Sequence, residues 1–363
     1  MHVSCGSHSL SLIAAADYVT ILKEKEYTAL KQMHYQFMSK ASVLWSAMKR
    51  PKSSEEIKEI LSRSVVYPVE TRWNSLFDAI GDLLKHRDKE KFLLNQIFKK
   101  LGKCDPFTAN DYRYMQIYRN VMEPIAKTID ILQGEKDTHY GIFLPSIHSI
   151  YIKLTNLIWQ TNDALEKKLG NAVLAKLDFR FKKFIDIDLS HEVVRFAVVA
   201  TLSHPQLKLD WKIAKKSDPE EITELNKVMI ALVKNAILKH NCHSHLNSSD
   251  QSSASDSCDK PNLKYMFIER NDNQTAAASI EKTIDTQITL YLNSPSRDDL
   301  EQFVIMKKLF KIHNTVLPSS APVERLFNMP SIISRSRFNL NDENFENAVV
   351  LKVNRQKLSL LEL

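Results

Sequence analysis

The stretch PSSAPVERLFNMPSIISRSRF, Pro318 to Phe338, carries one acid, Glu324, among small and apolar residues where the chain turns from loop to helix. Two chemistries fit a carboxylate there. In the first turn of a helix opened by Ser319 or Ser320, with Pro322 tolerated, it complements the helix dipole. As a ligand of a two-metal nuclease site it would need at least two further carboxylates converging on the cations. Spacing alone does not separate the two readings.

Four other groups have residue types that do chemistry. Cys5 and His8, in SCGSH, could offer zinc two ligands, but a structural site needs four and no partner pair is visible. A buried, satisfied Cys and His is the simpler reading. His240, Cys242, His243 and His245, with Cys258 further on, are denser in ligand types but lie in or beside a polar segment that fixes no geometry. The run LDFRFKKFID interleaves Arg180, Lys182 and Lys183 with Phe179, Phe181 and Phe184, a mix able to bind phosphates and stack bases, or simply an amphipathic helix with a solvated basic side. In VETRWNS, Arg72 stands beside Trp73 just before a helix capped by Asn74 or Ser75, where a guanidinium stacked on a core indole is the plain alternative to a nucleic-acid contact.

Composition bounds what can position these groups. The 363 residues allow two or three domains, and 44% hydrophobic with 26% charged residues describes an ordinary globular chain. Only 6 glycines against 12 prolines argue against the glycine-rich loops that cradle nucleotide phosphates. A net charge of +7 permits nucleic-acid contact without requiring it. The four scattered cysteines form no CxxC pair, which fits a reducing compartment. No apolar run approaches the roughly 20 residues of a membrane span, and the start shows no signal-peptide pattern.

Helical periodicity dominates the chain. Apolar residues recur at three- and four-residue steps after Trp73 and from Met115 to Leu132, where Pro124 should kink or divide the helix and Gly134 supplies a stop. The same pattern runs through 144–160, 162–184, 190–202, 219–240, 274–293 and 297–313. RSVVYPVE is the best strand candidate. His243 to Asn262, rich in Ser, Asp and Asn, reads as a flexible loop. The final DENFENAVVLKVNRQKLSLLEL is amphipathic, with Phe345, Val349, Val350 and Val353 on one face and Leu358 nearby.

Taken in order, SCGSHSLSLI, VYPVETRWNSLFDAI, LSHPQLKLDW, LPSSAPVERLF and DENFENAVVLKVN resemble segments of the hAT superfamily of DNA transposases and of host proteins derived from them. The resemblance covers nearly the whole chain and is most specific in the C-terminal dimerisation region. It implies an RNase H-like fold interrupted by a long helical insertion, in which two Asp and one Glu hold divalent metal for strand cleavage and joining. Glu324 would match that Glu, and Arg72 with Trp73 a pair near the site whose Trp helps handle flanking DNA. Both aspartates should precede the Cys-x-x-His segment, where four residues stand before Cys5, so phosphodiester chemistry by this chain alone is not expected. The run NMPSIISRSRF departs from the family's small Ser-x-Ala-Gly run, and Pro330 would bend or end the helix there.

The resulting expectation is a mainly α protein with a partial RNase H-like α/β remnant formed by the two chain ends. Its parts would be a remnant over 1–64, a helical insertion domain over 65–295 with a disordered loop at 243–262, and a C-terminal remnant with the dimerisation region over 296–363. The expected function is that of a truncated or domesticated hAT-transposase-derived protein acting through dimerisation, with Phe327, Phe345, Val349, Leu351 and Val353 in the packed surface. The alternatives are a non-specific DNA-binding protein using Arg72, Trp73, Arg180, Lys182 and Lys183, or a fragment of an active transposase whose aspartates lie upstream. Partners would be a second copy or a relative, with DNA possible and neither a membrane nor a small-molecule substrate. No cofactor is expected, Mg or Mn entering only with the missing catalytic part. The resemblance implies a nuclear location; without it, a cytoplasmic one.

Overall fold

The computed structural model describes residues 5–69, 74–85, 87–102, 104–134, 138–240, 272–296 and 300–321, with Glu324, 343–344, 346–347 and 350–351. These residues are mainly helical. The helices are α1 Gly6–Leu12, α2 Tyr18–Lys23, α3 Thr28–Met48, α4 Pro51–Leu61, α5 Ser75–Lys85, α6 Arg87–Leu101 and α7 Ala109–Leu132. They continue with α8 Phe143–Gln160, α9 Ala164–Ile185, α10 Glu192–Ser203, α11 Pro219–Lys239, α12 Asp272–Asn293 and α13 Val304–Asn314. No helix among the described residues is long and apolar enough to cross a membrane.

The periodic stretches of the sequence became helices, with three differences. RSVVYPVE forms no strand: residues 64–69 carry no regular structure, and no strand occurs among the described residues. Val65 is buried, but Tyr67 and Val69, which a strand would place on the same face, are exposed along with Val66, so the segment lacks the alternating burial of a half-buried strand. The backbone bonds a side chain instead, Val66 N–H donating to Asp82 Oδ2 at 3.1 Å while Arg63 forks onto the same carboxylate at 3.1 and 2.9 Å. Pro124 does not divide α7, because it and its neighbours Val121, Met122 and Ile125 are all buried and that packing offsets the proline's cost of about 3 kcal/mol. The pattern over 297–313 yields a helix only from Val304, preceded by a turn in which Phe303 N–H bonds Leu300 O.

The chain packs as two compact units. The division falls within α8 after Ser149 and within α9 after Arg180, where Phe181 leaves helical geometry at φ −117° and ψ 17°. The first unit comprises the described residues of Ser4–Thr138, Ile150–Arg180 and Pro318–Leu363. Its centre is α7, against which α1, α3 and α5 pack. A capping box starts α7, with Thr108 N–H donating to Asp111 Oδ2 at 2.6 Å and Asp111 N–H to Thr108 Oγ1. Lys40 of α3 reaches the same buried carboxylate at 2.6 Å, tying α3 to the start of α7. Phe37, Phe98, Phe107, Tyr114 and Tyr118 form a continuous aromatic core, with the Phe37 ring 5.3 Å from Tyr114 and 5.7 Å from Phe107. Gly170 lets α9 approach α8, since a Cβ there would lie 2.9 Å from Ile158.

The second unit comprises the described residues of His139–Ser149 and Phe181–Leu317. Here α10 is central, meeting α11, α13 and the 3-10 turn Tyr140–Ile142. Buried Asn314 ends α13 and links three elements: its Oδ1 accepts Gly141 N–H at 2.7 Å, and its Nδ2 donates to Ala200 O at 3.0 Å and Ser203 Oγ at 3.2 Å. Thr201 Oγ1 donates to Gly141 O at 2.9 Å. Gly141 is required, because a Cβ would come within 2.6 Å of Ala200 O. His148 accepts Ala214 N–H on Nδ1 at 2.9 Å, so its Nε2 carries the proton and donates to Phe184 O at 3.1 Å.

Burial holds the imidazoles of His148, His204 and His313 at about 4, down from 6.5. Each folded pKa lies below its unfolded value, so the unfolded chain binds more protons between these limits. The stabilisation is complete above about 6.5 and is lost as pH falls toward 4. We expect the melting temperature to drop across that window by an amount corresponding to about 3 kcal/mol per histidine, and His148→Gln to flatten the slope. Asn314→Leu, which strands Gly141 N–H, should cost about 3 kcal/mol in urea unfolding, against a small effect for an exposed helix position such as Lys311→Leu.

Candidate functional site

Cys5 stands at the N-cap of α1 in extended backbone conformation, and its Sγ accepts His8 N–H at 3.3 Å. His8 itself is exposed. The same sulfur accepts Ser320 N–H at 3.2 Å, and Gly6 N–H donates to Pro318 O at 2.9 Å. Residues more than three hundred positions apart therefore meet within one unit.

Ser320 Oγ lies 3.3 Å from Cys5 Sγ and 2.6 Å from Glu324 Oε1. A hydroxyl has one proton, and the short charge-assisted bond to the carboxylate takes it. The Cys5 thiol proton is left to point at Ser320 Oγ or at Ser319 Oγ, the latter 4.0 Å away. The polar line thus runs from Cys5 through Ser320 to Glu324.

Glu324 is exposed at a helix start, with its N–H on Ser320 O at 2.9 Å and Ser319 Oγ accepting Ala321 N–H at 3.1 Å. The first helical backbone bond is accepted by Ser320 O, so the helix starts from Ser320, with Ser319 Oγ on the Ala321 N–H just before it. Among the described residues, no cluster of three or more His, Cys, Asp or Glu side chains is placed to hold a metal ion. The chemistry available at this contact is hydrogen bonding that joins two distant segments.

The basic run is spread over different partners. Arg180 forks onto Asp17, with Nε on Oδ2 at 2.5 Å and Nη2 on Oδ1 at 2.8 Å, and the carboxylate pushes the guanidinium pKa up. Lys182 pairs with Asp186 at 3.0 Å, and Lys183 lies 5.3 Å from the centre of the Phe184 ring. Phe181 and Phe184 are core residues, whereas Phe179 is 83% exposed. Arg180 falls in the first unit and both lysines in the second.

Of the proposed dimerisation residues, Leu351 is described and is 59% exposed, next to Val350 at 53%. Phe327, Phe345, Val349 and Val353 lie outside the described residues, as do Arg72, Trp73, Cys242, His243, His245 and Cys258. Asn74, one of the two expected caps of α5, is buried with its amide donating to Ala126 O and Asp130 Oδ1, both at 2.8 Å.

No family model matches this chain, and no curated protein matches it.

Ser320 and Asp17 are the residues that sequence reading missed. Ser320 was weighed only as a helix-start residue, and Asp17 carries no motif, since its partner stands 163 positions away. A double-mutant cycle on Asp17→Asn and Arg180→Met should give a coupling of about 1 kcal/mol in thermal or urea unfolding. Purely additive effects would mean that the fork contributes nothing to stability.

Proposed function

We propose that this chain is a hAT-transposase-derived protein that acts by associating with a second copy or a relative through its C-terminal segment, and that Glu324 serves as a helix-start acid rather than as a metal ligand. The observation that carries the reading is the contact of Cys5 and Gly6 with Pro318 and Ser320. It joins SCGSHSLSLI to LPSSAPVERLF, the segments expected to be the two ends of one interrupted RNase H-like remnant. The helices between them are consistent with the insertion that such a chain would carry.

Two further observations support the assignment of roles. Val350 and Leu351 expose apolar surface on adjacent residues of the C-terminal segment, where an association surface is expected. The Glu324 carboxylate accepts the Ser320 proton within its own turn, as a helix-start acid does.

Light scattering after size exclusion, over a concentration series of the whole chain, tests the reading. We expect a dimer that dissociates on dilution, and a monomer for Leu351→Asp with an unchanged far-ultraviolet spectrum. The same preparation should leave a DNA duplex uncut with Mg or Mn present. A wild-type chain that stays monomeric at every concentration would falsify the association, and metal-dependent cleavage lost in Glu324→Gln would restore the catalytic role.

A further inference from the structure

The first unit contains a cleft of about 990 Å³, formed by α1 with the turn that follows it, α3, the extended residues Tyr67 to Val69, the start of α5, and α7. This is the upper end of the roughly 300–1,000 Å³ usual for small-molecule sites. Its walls are chiefly apolar, with Leu12, Val19, Met38, Leu76, Phe77 and Met122 among them. Three of the chain's exposed large hydrophobic residues, Val19, Tyr67 and Val69, belong to this one lining. That concentration is more than the single scattered apolar side chains an ordinary surface shows.

The shape of one wall has a local cause. Residues Ile13–Asp17 form a π-helical turn between α1 and α2. Such turns are rare and occur frequently at functional sites. This one presents Ala14 and Ala15 to the cleft, so small side chains stand where a larger residue would fill the space. Behind that wall Tyr18 Oη bonds Tyr114 Oη at 2.9 Å, and Tyr114 Oη bonds His34 Nδ1 at 2.7 Å. Burial lowers His34 to about 4, so the imidazole that lines the cleft is neutral at pH 7.

Charge then narrows the ligand. Lys49 is the one formally charged side chain of the described lining, which includes no Asp or Glu. It is exposed, and its Nζ lies 5.7 Å from the centre of the Tyr67 ring. A single cation beside an apolar cavity complements a molecule with an apolar body and one negative head. One lysine without a glycine-rich loop does not suit a nucleotide polyphosphate.

We propose that this cleft binds a small amphipathic carboxylate, its apolar body between α1, α3 and α7 and its head at Lys49. The site is separate from the Cys5–Ser320–Glu324 contact and does not depend on the proposed association.

Isothermal titration of the whole chain with 2-naphthoate, and in parallel with the neutral 2-naphthamide, tests the proposal. Saturable one-site binding of naphthoate is expected, with naphthamide weaker by about threefold to fivefold, as a partly exposed ion pair allows. Lys49→Met, at an exposed position that leaves the fold intact, should reduce naphthoate affinity by the same factor and abolish the difference between the two probes. Added salt should weaken naphthoate binding to the wild type and leave Lys49→Met unaffected. Ala14→Phe should abolish binding of both probes, with the melting temperature as the check on folding. Absence of saturable binding to the wild type, equal naphthoate affinity in Lys49→Met, or binding retained by a folded Ala14→Phe would each overturn the proposal.

Discussion

The burial of α7 is the constraint on which the first unit depends. Tyr114, Tyr118, Val121, Met122, Ile125 and Ile129 are all buried on it, and three other helices take their positions from its surface. Aromatic pairs along it contribute about 0.5–1.5 kcal/mol each beyond their area, but direction comes from polar atoms. Tyr114 Oη has one proton and two partners, Tyr18 Oη and His34 Nδ1, so α2 and α3 must bring both groups to the same point. Further along α3, Lys40 meets Asp111 at the start of α7. An apolar core alone would tolerate small rotations of these helices; these hydrogen bonds do not.

The candidate contact and the cleft both follow from that placement. With α1 packed on α7, Cys5 at its cap meets Ser319 and Ser320, and the π-helical turn at its end faces α3 and α5 across the cleft. The Arg180 to Asp17 fork holds the last residue of that turn from α9. One short segment, from Cys5 to Tyr18, therefore carries a cap, a contact with the C-terminal segment and a cleft wall. A substitution in it acts on more than one of these at once.

The second unit uses a different device for the same purpose. Asn314 satisfies Gly141, Ala200 and Ser203 together, which holds the 3-10 turn, α10 and α13 in register at a spacing only glycine permits. Its buried histidines are kept neutral by the packing that surrounds them, and His148 is held in one tautomer by two backbone groups. The cost of that arrangement is sensitivity to acid, because a proton on any of these rings must be accommodated where water is excluded.

The sequence by itself determined the helices. Apolar residues at steps of three and four specify a face whatever that face later meets, so α5 and α7 to α12 were legible to within a few residues at their ends. The helix start at Ser319 or Ser320 was legible for the same reason, since capping involves residues within one turn. Only the tertiary structure decided what joins across hundreds of positions: Cys5 with Ser320, Arg180 with Asp17, and Lys49 at the edge of a cleft that borrows walls from distant helices. It also decided against a strand at residues 64–69, where Val65 alone is buried and Asp82 accepts the Val66 N–H. Local periodicity is written in neighbouring residues, whereas a contact depends on where two helices come to rest, and that is settled by packing the whole core.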